Sequence, residues 1–231
     1  RAEIKMKAVP YSGMLDAKTG YIALSSFTET SANEVRTALQ DLQKQGAEAL
    51  VLDLRSNPGG LLTAAIEIVN LFVAKGTVVV RTKGQMTETD QVFKTLREPI
   101  AAEMSVAVLI DGQSASASEI VAGALQDLDR GAVVGQRSYG KGLVQQTRPL
   151  AYGAQLKLTV SKYYTPSGRC IQAFDYSDNA RGKRLDATKR TEFKTANGRK
   201  VFDGGGVDPD ILAGNGEISP VLYSLVRNGA L

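Results

Sequence analysis

Two kinds of apolar pattern run along this chain. Near-continuous apolar stretches occur at 49–55 and 105–110, as in strands covered on both faces. Elsewhere apolar residues recur at helical spacing. Val35, Ala38, Leu39 and Leu42 form one such set, and Leu61, Leu62, Ala65, Ile66, Val69 and Phe72 a second. Ile120, Val121, Ala124, Leu125 and Leu128 form a third. The first helix has a capping-box start, Ser31 with Glu34 three residues on, and Gly46 as its stop. Further strands are predicted at 20–27, 77–82, 131–135, 143–146 and 156–164, with a weak edge strand through Ile4, Met6 and Ala8.

Residues 83–100 read as an exposed hairpin or loop with strand character at Val92-Phe93. A last helix is predicted at 220–226. Residues 175–200 are polar and basic, the composition of a mobile loop, and 203–210 read as a glycine-acid turn. Strands alternating with helices make this a mixed α/β chain. Its length of 231 residues fits a single domain, taken as 1–231.

Composition then removes whole classes of chemistry. There is no histidine, which excludes Ser-His-Asp and Cys-His catalysis and any His-ligated metal. The single cysteine, Cys170, allows no intrachain disulfide and no cysteine-rich zinc site. A net charge of +4, spread except for a cluster at 181–190, is too diffuse for a nucleic-acid face, so no nucleic-acid partner is expected. No apolar run is long enough to span a membrane, so no integral membrane segment is expected.

A histidine-free serine hydrolase needs another base, and a lysine can serve as one when neutral. Ser114, Ser116 and Ser118 alternate with alanines at the mouth of the third helix. Small neighbours keep a hydroxyl accessible there, and free N–H groups at a helix start can stabilise an oxyanion. Lys141 lies 25 residues after Ser116 between two glycines. About twelve helical residues travel ~18 Å, and five or six strand residues return ~17–20 Å, so Lys141 can regain the level of Ser116. The spacing permits the contact without requiring it.

Other readings of these motifs are weaker. Gly135 to Lys141 approaches a phosphate-binding loop, but Gly142 stands where a Ser or Thr is needed and a strand follows instead of a helix. Asp203, Asp208 and Asp210 lack the spacing of a calcium loop. The turn Ser56-Asn57-Pro58-Gly59-Gly60 between strand and helix is either structural or an anion-binding turn.

Three blocks carry a resemblance: Asp53-Leu54-Arg55-Ser56-Asn57-Pro58-Gly59-Gly60, then Ser114 through Ile120, then Gly135 through Gln145. In this order they resemble the carboxy-terminal processing (tail-specific) serine proteases, and Gly204-Gly205-Gly206 with Pro209-Asp210-Ile211 is similar to that family's closing segment. The resemblance implies a crotonase/ClpP-like β-β-α core and a Ser-Lys dyad peptidase that cuts polypeptides, often near their C-termini. It implies Ser116 as nucleophile, Lys141 as general base and Gln145 as the residue orienting that lysine. The backbone N–H of Ala117, with that of Gly59 or Gly60, is implied as the oxyanion hole.

No cofactor or metal is implied, and a homo-oligomer is allowed. Family members usually carry a PDZ domain ahead of the core; this chain is expected to start after it. A periplasmic or envelope location is implied by the resemblance alone. Two rival expectations stand beside this one. A crotonase-type acyl-CoA enzyme would use paired carboxylates, which the glycine turn lacks. An inactive binding or scaffold module would be expected to have lost Ser116, Lys141 or Gln145.

Overall fold

A computed structural model of the chain describes residues 6–84, 90–176 and 182–214. The helix predicted at 220–226 lies outside the described residues. In chain order the elements begin with β1 (Tyr11–Met14), β2 (Thr19–Ala23), α1 (Ser31–Lys44), β3 (Ala49–Asp53) and α2 (Leu62–Val69). There follow β4 (Val78–Gly84), β5 (Gln91–Lys94), β6 (Ser105–Ile110), α3 (Ala117–Asp127) and β7 (Ala132–Gly135). A long hairpin, β8 (Leu143–Pro149) and β9 (Gln155–Tyr164), comes next. The short strands β10 (Phe174–Asp175), β11 (Lys183–Arg184), β12 (Glu192–Lys194), β13 (Lys200–Phe202) and β14 (Ile211–Leu212) complete the described chain. The architecture is mixed α/β.

The main sheet has the order β1-β2-β3-β6-β7-β14 and is parallel throughout except at β1. Its central strands are the two continuous apolar runs read from the sequence. Leu50 and Leu52 in β3, and Val108 and Ile110 in β6, are buried. Fully burying a side chain of this size contributes roughly 1.5–3 kcal/mol. Because β3 and β6 are parallel neighbours, Asp53 opposite Leu109, the loops that leave them emerge side by side at one edge of the sheet. Open parallel sheets bind ligands at that edge.

A second, antiparallel sheet has the order β5-β4-β9-β8. Every residue of α3 is buried, with α2, β4 and β7 packed around it. A helix covered on all sides is a core element, which explains why its apolar face is broader than a surface helix needs. At its C-terminal end Asp127 is ion-paired with Arg169 at 2.8 Å, both side chains fully buried.

Several local expectations shift. The edge strand is Tyr11–Met14, not the alternation through Met6 and Ala8; Ala8 is buried, and Ile4 lies outside the described residues. The N-cap of α1 is Thr30, not Ser31. Glu34 does reach back, but to the Thr30 hydroxyl (2.7 Å) and the Val9 N–H (3.0 Å), while the Ser31 hydroxyl donates to Thr28 O. The capping acid is recruited by a tertiary donor, which no local motif reveals. Gly46, at φ +94°, ends α1 as read. Between Phe174 and Phe202 the described residues include two small antiparallel ladders, β10 with β11 and β12 with β13. Among the described residues no helix is long and apolar enough to cross a membrane.

Candidate active site

The two loops at the sheet edge are sewn together by Asp111. Its carboxylate accepts the N–H groups of Ser56 (3.0 Å), Gln113 (2.9 Å) and Ser114 (3.0 Å). Burial works to raise this carboxyl, but the bonds from Ser56, Gln113 and Ser114 outweigh it and hold it below the usual carboxylate range. The Leu54 N–H donates to Leu109 O at 2.9 Å and the Ala115 N–H to Asn57 O at 3.0 Å, which continues the strand pairing into the loops.

The three alternate serines then separate by role. Ser114 is fully buried and donates its hydroxyl to Leu54 O at 2.8 Å. Ser118 is fully buried and donates to Asn57 O at 2.9 Å. Both hydroxyls are committed to the neighbouring loop. Only Ser116 is partly accessible. It stands at the N-cap of α3 with φ +56° and ψ −112°, a conformation that side-chain-bearing residues rarely adopt. Such backbone costs on the order of 1–3 kcal/mol and persists only where its surroundings over-determine it.

Lys141 arrives from the loop after β7, and two buried side chains hold it to Ser116. One oxygen of Glu119, Oε2, accepts the N–H of Ser116 and the N–H of Lys141, each at 2.8 Å. Its Oε1 accepts the Gly140 N–H at 2.6 Å and the Ser138 hydroxyl. On the carbonyl side, the Tyr163 hydroxyl lies 2.6 Å from Lys141 O and 3.1 Å from Ser116 O. The sequence reading missed both residues. Glu119 sits three positions after Ser116, where a capping acid would, but three of its four donors are twenty or so residues away. Tyr163 is a strand residue with no local signal.

Among the described residues no hydrogen bond joins the Ser116 and Lys141 side chains, nor Lys141 and Gln145. Catalytic hydrogen bonds are often long until substrate binds. Lys141 and Gln145 do line one cleft of about 630 Å³, together with Pro58, Ala115, Tyr139 and Phe174. The Tyr139 and Phe174 rings are 6.0 Å apart there, giving the cleft an aromatic wall.

Both glycines of the turn are required by close approach. A Cβ at Gly59 would lie 2.6 Å from Ala115 O and 2.8 Å from Ser116 Cβ, and one at Gly60 would lie 2.2 Å from Phe27 O. Their N–H groups differ. That of Gly59 is taken by Asn57 Oδ1 at 2.9 Å. Those of Gly60 and Ala117 have no acceptor among the described residues.

Comparisons with known proteins place the chain in a family. The profile of Peptidase family S41 matches residues 18–177. A carboxy-terminal-processing protease of Bartonella bacilliformis is 43% identical over 173 residues, covering 73% of this chain and 39% of the relative. A probable CtpA-like serine protease of Staphylococcus aureus is 36% identical over 213 residues, covering 91% of this chain and 42% of its own length. The chain therefore spans less than half the length of these relatives. Among solved structures, a photosystem II D1 C-terminal processing protease superposes with a TM-score of 0.66 at 28% identity, over 90% of this chain and 46% of that one. A putative S41 protease from Bacteroides fragilis, at 16% identity and a TM-score of 0.66 over 100% of this chain and 60% of that one, shares the fold. With a family match that covers the glycine turn, the serine cluster and the lysine loop, the chain belongs to Peptidase family S41.

Proposed function

We propose that this chain is the catalytic core of a serine peptidase in which Ser116 is the nucleophile and Lys141 the general base. The observation that carries the reading is that one carboxylate oxygen of Glu119 accepts the backbone N–H of both residues. The absence of histidine from the sequence leaves lysine as the base available to such a serine.

In the proposed reaction the neutral Lys141 amine takes the proton from the Ser116 hydroxyl. The oxygen attacks the scissile carbonyl. The N–H groups of Ala117 and Gly60 receive the oxyanion, and Gly60 is preferred to Gly59 because the Gly59 N–H is already bonded to Asn57. The lysine ammonium gives its proton to the leaving amine, and water, deprotonated by the same lysine, releases the acyl group. Gln145 is assigned the role of orienting the lysine, and the cleft lined by both residues supports that reading.

The substrate class proposed is polypeptide, cut near its C-terminus, as the names of the similar proteases suggest. The proposed periplasmic or envelope location rests on the same likeness. A fluorophosphonate probe tests the nucleophile. Mass spectrometry should place the adduct on Ser116, and labelling elsewhere, or none, would contradict the assignment.

A further inference from the structure

Ser116 and Lys141 come from different elements, one at the start of α3 and the other in the loop between β7 and β8. Nothing in the chain's local structure sets their separation. Two side chains outside the dyad span it. Glu119 is fully buried and receives four donors on two oxygens: the N–H groups of Ser116, Gly140 and Lys141, and the Ser138 hydroxyl. Ser138 in turn accepts the Val207 N–H at 2.7 Å, so the clamp is anchored to the glycine-acid turn as well. Tyr163 is buried, and its hydroxyl touches the carbonyls of the same two residues, Ser116 and Lys141.

We propose that Glu119 and Tyr163 are positioning residues that set the distance and orientation between nucleophile and base, one gripping their N–H groups and the other their carbonyls. The proposal deepens the Ser116–Lys141 reading and rests on it. Three physical points support it. First, the grip is symmetric: Oε2 lies 2.8 Å from each N–H, so moving either segment breaks a bond in a buried place. Second, the Ser116 conformation at φ +56° is held at its own N–H by Glu119, which is the over-determination that strained backbone needs. Third, burial above all pushes the Tyr163 phenol well up, so it remains a donor; its proton is shared between the two carbonyls, with that of Lys141 the nearer.

Burial also pushes the Glu119 carboxyl above its ordinary range, opposed by the bonds from Ser138, Lys141, Gly140 and Ser116. Three of the four donors are backbone N–H groups, which offer an amide no acceptor. Glu119→Gln therefore sets its NH₂ group against at least one of them while keeping the size of the side chain.

The test uses the parent, Ser116→Ala, Glu119→Gln and Tyr163→Phe, all assayed where circular dichroism shows full folding. Cleavage of an unfolded protein gives kcat and KM, and the rate of fluorophosphonate labelling reports the serine without any substrate. Because a misplacement near 1 Å costs on the order of 100-fold, Glu119→Gln should lose roughly that factor in kcat and in labelling rate. KM should stay within about threefold, since binding contacts are untouched. Tyr163→Phe should lose roughly tenfold, the worth of one hydrogen bond. A purely structural role would lower Tm and leave kcat and labelling unchanged in the folded variants, and that result would overturn the proposal. If Glu119→Gln does not fold, Tyr163→Phe, which keeps its ring packing, decides alone. Activity retained in Ser116→Ala would instead sink the dyad reading, a distinct outcome.

Discussion

Gly59 offers a sharp perturbation of the site because it touches the proposed nucleophile without taking part in the chemistry. A methyl group there would sit 2.6 Å from Ala115 O, 2.8 Å from Ala117 N and 2.8 Å from Ser116 Cβ. All three atoms belong to the segment that opens α3. Reaching ordinary contact near ~3.4 Å requires that segment to retreat by about 0.6–0.8 Å, and close-packed interiors transmit such a shift instead of absorbing it. A displacement of this order at a reacting group costs roughly 10–100-fold in rate. Gly59 also has φ +99°, so alanine there adds about 1–2 kcal/mol of backbone penalty. In a chain of this length that lowers Tm by roughly 2–8 °C.

Gly76 separates the two effects. It has φ +84°, but a methyl group there would have no neighbour within 4 Å, so Gly76→Ala carries the backbone penalty alone. Peptidase assays and thermal melts on both variants should show a loss of Tm in each, larger in Gly59→Ala because of the added overlap, with activity lost only in Gly59→Ala. Equal activity in the two would refute the argument that the glycine turn holds Ser116 by contact.

Other expectations can be checked with the same preparations. Ser118→Ala removes the bond to Asn57 O, and Ser114→Ala removes the bond to Leu54 O and the one accepted from the Asp111 N–H; each should cost about 1–3 kcal/mol in denaturant unfolding, yet both should still label at residue 116 with a fluorophosphonate. Arg169→Ala strands Asp127 uncompensated in the core; losing one partner of a buried pair costs roughly 3–5 kcal/mol, so Tm should fall by about 6–20 °C. Asp53 gives a pH effect of definite sign. Burial works to raise its carboxyl, but the Arg55 side chain and the Tyr21 hydroxyl outweigh it and hold Asp53 below the usual value. Its contribution is therefore complete above the unfolded pKa near ~3.9 and is lost as pH falls through the lower folded value. Acid titration followed by circular dichroism should show a flatter stability curve over that window in Asp53→Asn.

What the sequence made legible follows from the range of each interaction. The β3 and β6 runs could be read because strands covered on both faces leave an uninterrupted apolar signature. The start of α3 could be read because small residues precede a strong helical repeat. The relation of Ser116 to Lys141 could only be bounded by helix rise and strand return. Its physical cause, Glu119 and Tyr163, lies in contacts between elements. Only one of the four donors of Glu119 is local, so no sequence motif marks its role. The shift of the α1 cap to Thr30 has the same origin, since the Val9 N–H that engages Glu34 is 25 residues away. The choice between Gly59 and Gly60 turned on Asn57, whose side chain occupies one N–H and leaves the other. Nothing in the turn's composition distinguishes them.

The central claim is that Ser116 and Lys141 act together as nucleophile and base. Its most direct test is cleavage of an unfolded protein by the parent chain beside Ser116→Ala and Lys141→Ala, with folding verified in each. The account predicts cleavage by the parent and none by either variant. Cleavage that survives Lys141→Ala at the parent rate would contradict it.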